Sequence, residues 1–88
     1  MELLKIMGLT KKNAGIILDI NQTANNFKSS IVIRTDNKNL DAKSLLGLTY
    51  TLISSQTYKL EIHGPDEEDA KIAMIQVFGK HRIPVEVI

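Results

Sequence analysis

The sequence predicts an α/β fold, a two-layer sandwich of strands packed on one face by helices, and three observations carry that prediction. Tyr58, Leu60 and Ile62 alternate with Lys59, Glu61 and His63, the period of two of a half-buried strand. Ile31-Val32-Ile33 is a β-branched run, the composition of another strand. Two further stretches, opening near Ala14 and near Asp66, space their apolar residues by three and four, as a helix with one buried face does. Strands and helices that each hide one face are satisfied by layering on one another.

Taken in order, the first element is a strand over 2–7 (Glu-Leu-Leu-Lys-Ile-Met), closed by Gly8. Lys11-Lys12-Asn13 breaks the pattern. From Ala14, Ile16, Ile17, Ile20, Ala24 and Phe27 form one helical face, with Asn13 as its N-cap and Asn25-Asn26 weakening its end. Ile31–Ile33 follows as a strand. Asp36-Asn37-Lys38-Asn39 has turn chemistry. Leu40 and Ala42, alternating with Asp41, give a short return strand that pairs antiparallel with Ile31–Ile33. Ser44 caps a short helix over Leu45-Leu46-Gly47-Leu48. Tyr58–His63 is the next strand, ended by Gly64-Pro65-Asp66. Asp66, Glu67, Glu68 and Asp69 sit in the first turn of the last helix, where the positive end of the dipole favours acids. Ala70, Ala73, Met74, Val77 and Phe78 are its buried stripe and Gly79 its stop. The tail from Arg82 to Ile88 alternates weakly and reads as a short extra strand.

Composition narrows the function. The chain has 88 residues, 43% of them apolar, which suits one domain over 1–88 with a short C-terminal extension over about 80–88. There is no cysteine, which excludes disulfides, zinc-thiolate sites and cysteine nucleophiles. The net charge is +1, the cations are scattered, and only Lys11-Lys12 are adjacent, so direct nucleic-acid binding is not expected. No apolar run is long enough for a membrane span and the first residues do not read as a signal peptide, so the cytoplasm is the expected location. His63 and His81 lack any supporting ligand spacing, and the acids at 67–69 read as helix capping. Neither a metal nor a cofactor is expected.

Three segments, in this order, resemble the HPr family, the phosphocarriers of the bacterial sugar phosphotransferase system. They are Gln22-Thr23-Ala24 with Phe27; Ala42-Lys43-Ser44-Leu45-Leu46-Gly47-Leu48, similar to the family's serine-site signature; and Gly64, Asp66, Glu67, Asp69 and Ala70, similar to the entry to its last helix. The resemblance covers about Leu3 to Phe78. It implies an open-faced sandwich, a four-stranded antiparallel sheet covered by three helices. The departures bear on function. The family's active-site loop runs glycine, apolar, histidine, alanine, arginine, proline; the matching stretch here is Lys11-Lys12-Asn13-Ala14-Gly15-Ile16. Asn13 stands where the phosphoryl-accepting histidine would be and Gly15 where an arginine would steady the phosphate. A carboxamide cannot replace imidazole nitrogen in a relay.

The resemblance therefore implies a protein that is not an enzyme, without a phosphohistidine relay, similar to the catabolite-repression variant of HPr. It would be a regulatory or adaptor protein. Ser44 matches the serine that a dedicated kinase phosphorylates in HPr of some bacteria; Leu45 stands at a position that contacts partner proteins in the family, and with Leu46 and the nearby Leu18 of the first helix it forms the candidate partner surface. The expected partners are proteins, such as a kinase or a transcriptional regulator. Two other readings stand beside it: a working phosphocarrier with an unrecognised acceptor, and a divergent scaffold with an unrelated partner.

Overall fold

The computed structural model describes residues 11–36, 38–54 and 58–88. Its elements are α1 (Lys11–Ala24), β1 (Ser30–Arg34), β2 (Asn39–Asp41), α2 (Leu45–Ser54), β3 (Lys59–His63), α3 (Glu67–Lys80) and β4 (Glu86–Val87). The strands form one sheet in the order β2-β1-β3-β4. The strand expected over 2–7 lies outside the described residues.

The hairpin forms as its sequence dictates. β1 and β2 are antiparallel with Ile33 opposite Leu40 and Val32 opposite Asp41. Thr35 N donates to Lys38 O at 2.8 Å to close the turn, and Ala42 N to Ile31 O at 2.9 Å. β1 is also antiparallel to β3, with Ile31 opposite Ile62 and Ile33 opposite Leu60. These four side chains point to one face and are buried, while Ser30, Arg34, Lys59 and His63 at the strand ends are exposed. Two helices cover that face. α1 contributes Ile17, Ile20 and Ala24, and α3 contributes Ala70, Met74, Val77 and Phe78. Leu48 and Tyr58 complete the cluster, the Tyr58 ring lying 6.3 Å from that of Phe78. Each large apolar side chain so buried contributes about 1.5–3 kcal/mol of transfer free energy.

Four expectations are corrected. The sheet is mixed rather than antiparallel throughout: β4 runs parallel to β3, with Leu60 opposite Val87. The cause is α3, a crossover helix that carries the chain over the sheet and returns it in the direction of β3. Asn13 is not a cap, because α1 has already begun at Lys11; lysines are good helix formers and carry the helix past the first apolar position. α2 runs ten residues rather than four, since the β-branched Thr49, Thr51 and Ile53 obscure its period in the sequence. Gly79 lies inside α3, and the stop is Arg82, in the left-handed region at φ 59. Arg82 N donates to Gly79 O at 3.0 Å and Ile83 N to Phe78 O at 2.9 Å, the paired bonds of a Schellman ending. No helix of the described residues is long and apolar enough to cross a membrane.

Asp66 holds the layers at one corner. It precedes α3, but its side chain makes no cap bond to that helix. It crosses instead to the α1–β1 connection, where Oδ2 accepts from Lys28 N and Oδ1 from Ser29 N, both at 2.9 Å. The buried Ser29 hydroxyl donates to Oδ1 at 2.5 Å and accepts from Asp66 N at 3.2 Å. Gly64 permits the approach: its φ is 152, and a Cβ there would fall 2.6 Å from Ser29 Cα. The Ser29 and Lys28 bonds favour the charged carboxylate and pull Asp66 down to about 2.

A depressed carboxylate stabilises the fold above its ordinary value and ceases to as pH falls through the depressed one. Wild-type melting temperature should therefore drop as pH falls from 3.8 to about 2. Asp66→Asn, whose amide nitrogen cannot accept a backbone bond, should melt lower than wild type near neutral pH and show a smaller acid-induced drop. Thermal melts across that pH range check both.

Candidate functional site

Ser44 stands between β2 and α2 on a segment strapped to α1. Asp41 turns the chain, its Oδ1 accepting from Lys43 N at 2.8 Å and its carbonyl from Ser44 N at 3.0 Å. Lys43 Nζ donates to Phe27 O at 2.7 Å, just beyond α1. Asn21 Nδ2 donates from α1 to Ala42 O at 3.3 Å. The Ser44 hydroxyl, exposed to solvent, accepts from Gly47 N at 3.2 Å, three residues onward. The cap expected from the sequence is thus present. Its geometry has a chemical consequence: a phosphate on this oxygen would meet the positive end of α2.

The leucines beside it divide by face. Leu48 is fully buried, whereas Leu45 and Leu46 are 46% and 69% exposed. Leu18 is 45% exposed on α1. It lies three residues before Asn21, on the helical face that reaches the Ser44 segment. Asn13 and Gly15 are both exposed in the first turns of α1. Among the described residues, nothing lies within 4 Å of where a Gly15 Cβ would be, so none of them demands glycine there.

Neither histidine stands alone. His63 Nε2 is 3.3 Å from Glu61 Oε2. His81 Nε2 is 2.7 Å from Asp19 Oδ2, which Lys80 Nζ also reaches at 3.0 Å. The His81 hydrogen bond first, and then that of Lys80, hold the Asp19 carboxyl below its ordinary range. His81, which falls in the C-terminal extension by sequence, is tied to α1 by this bond. Asp19 precedes Lys80 and His81 by 61 and 62 residues in the chain, and no local pattern signals the pairing.

Residues 6–80 match the family described as the phosphotransferase-system HPr component phosphorylation site. The HPr-like protein Crh of Halalkalibacterium halodurans is 38% identical over 74 residues, covering 83% of this chain and 84% of that protein. Among solved structures, the HPr dimer from Thermoanaerobacter tengcongensis superposes with a TM-score of 0.72 at 32% identity, covering 82% of this chain and 86% of that one. Crh of Bacillus subtilis, a catabolite-repression protein seen there as a domain-swapped, intertwined dimer, gives 0.67 at 29% identity over 76% of this chain and 78% of its own.

Removing the hydroxyl by Ser44→Ala should cost about 1 kcal/mol of stability, the usual worth of an N-cap. Ser44→Asp should cost much less, because aspartate caps well and its charge suits the helix dipole. Denaturant melts of the three proteins check the order.

Proposed function

The chain belongs to the HPr family, and from that premise we propose that it is a non-catalytic member of it, a regulatory or adaptor protein without a phosphohistidine relay. It binds other proteins through α1 and the Ser44 segment. The observation that carries the reading is Asn13, at the position where the resemblance puts the phosphoryl-accepting histidine. Gly15, in place of the phosphate-holding arginine, agrees with it. The exposed Leu18, Leu45 and Leu46 supply the apolar contact area, and Ser44 supplies a hydroxyl at a helix start where a kinase-added phosphate would be stabilised. The partners are proteins, a kinase or a transcriptional regulator among them, and the place of action is the cytoplasm.

A relay through another acceptor is the competing reading, and one assay addresses both. The chain is incubated with phosphoenolpyruvate and the upstream phosphotransferase of the system, then weighed before and after mild acid. No acid-labile phosphoryl group should be present. A stoichiometric one, on His63, His81 or elsewhere, would overturn the reading. Asn13→His alone should restore little transfer, because Gly15 leaves the phosphate unpaired. Asn13→His with Gly15→Arg should restore more, since the space beside Gly15 admits the longer side chain.

A further inference from the structure

The outer side of α3 carries an apolar patch that the rest of the chain does not cover. Ala70, Met74, Val77 and Phe78 turn to the sheet, and the opposite side presents Glu68, Ile72, Ile75 and Gly79, all exposed. Ile72 and Ile75 are 58% and 48% exposed and lie one turn apart, so their side chains form one continuous surface. It is separate from Leu18, Leu45 and Leu46, which belong to α1 and α2. Stability of the single chain explains none of these choices. A solvated helix face favours lysine, glutamate or glutamine over a β-branched isoleucine. Gly79 lies inside the helix, where only proline is less favourable. Its backbone is not in the left-handed region, and among the described residues nothing lies within 4 Å of where its Cβ would be.

The spacing is that of a seam between two helices. Glu68, Ile72, Ile75 and Gly79 follow at intervals of four, three and four, as in a heptad pattern. The series reads the same from either end, so it fits a copy of itself running antiparallel about a two-fold axis between residues 72 and 75. Ile72 then meets Ile75 of the second copy. Glu68 lies over Gly79 of the second copy, where the missing side chain leaves room for it. Charge favours this direction over the parallel one. Glu67, Glu68 and Asp69 open the helix and Lys80 stands in its last turn, so an antiparallel pair sets an acidic end against a basic end twice. Asp69 and Lys80 are eleven residues, or about three turns, apart and share one flank of the seam. Among the described residues no cation pairs with Asp69, and Lys80 pairs with Asp19 through one of the three donors of its ammonium.

We propose that α3 pairs antiparallel with α3 of a second copy, with Ile72 and Ile75 as the seam and Asp69 reaching Lys80 across it at each end. No segment is exchanged between the copies, which sets this contact apart from the intertwined dimer of Bacillus subtilis Crh. A seam of three turns is smaller than a standard interface, so the pair is weak and forms at high micromolar concentration. It uses none of the residues on which the adaptor reading rests.

The test is sedimentation equilibrium of the full chain from about 10 µM to about 1 mM, the range of a weak association, with nitrogen-15 spectra over the same series. The average mass should rise towards two chains. The amides of Glu68, Ile72, Ile75 and Gly79 should shift with concentration while those of Leu45 and Leu46 stay. Ile72→Lys should remain a single chain throughout and, because that side chain is exposed, melt with the wild type in dilute solution. Asp69→Asn, which breaks two equivalent exposed ion pairs, should weaken association about fivefold. Gly79→Gln should raise the melting temperature in dilute solution, since glutamine is the better helix former, yet weaken association about tenfold by filling the space that Glu68 needs. A glycine with a merely structural role would not move those two readouts in opposite directions. A single chain at every concentration, concentration-dependent shifts confined to other residues, or a dimer that survives Ile72→Lys with Ile75→Lys would overturn the proposal. The last result would place the contact elsewhere, strand exchange included.

Discussion

The bond between Asp66 and the Ser29 region is the constraint from which the rest of the arrangement follows. β1 begins at Ser30, opposite His63 at the end of β3, and Asp66 lies three residues beyond His63. Its carboxylate returns across that corner to two backbone amides and a buried hydroxyl. The exit of α3 from the sheet is thereby fixed at one end. From there Ala70, Met74, Val77 and Phe78 fall over the sheet face, and the far end of the helix arrives beside α1. Asp19 meets Lys80 and His81 there, a second tie between the same two helices. Gly64 is required at the corner because any side chain would run into the Ser29 backbone.

With α1 held against α3 on one side and against the Ser44 segment on the other, the proposed partner surface rests on a positioned helix. Lys43 and Asn21 bond backbone carbonyls across the second junction, so the exposed leucines and the capping serine are presented from a defined platform. Ser44 performs a structural task that does not conflict with modification. Its oxygen already faces the start of α2, where added negative charge is favoured. A phosphate there would change the surface without requiring the helix to unwind, as the proposed regulation needs.

Much of this was legible in the sequence because it is local. The alternation at Tyr58–His63, the β-branched Ile31–Ile33 and the turn at Asp36–Lys38 specify strands and their pairing through side-chain period and turn chemistry alone. Ser44 was legible as a cap for the same reason. What was missed depends on distant residues or on geometry that composition does not encode. Asp66 reads from sequence as one of several acids at a helix start, and nothing local distinguishes its bonds to Lys28 and Ser29 from the solvated role of Glu68. The Asp19–His81 pair has no sequence signature. The parallel β4 escaped because the family resemblance implied an antiparallel sheet and the tail alternates only weakly. Arg82, an arginine in a glycine's conformation, defeats the usual stop signal, so the eye settles on Gly79 instead.

The proposed adaptor role requires the Ser44 surface to be a docking site, and the proposed regulation requires phosphorylation to control it. The most direct measurement is a binding titration of one purified partner protein, recovered with the unmodified chain, against three forms: unmodified, phosphorylated at Ser44, and Leu46→Ser. The account predicts that phosphorylation shifts the dissociation constant without altering the fold, and that Leu46→Ser weakens binding. Identical dissociation constants for all three forms would contradict it.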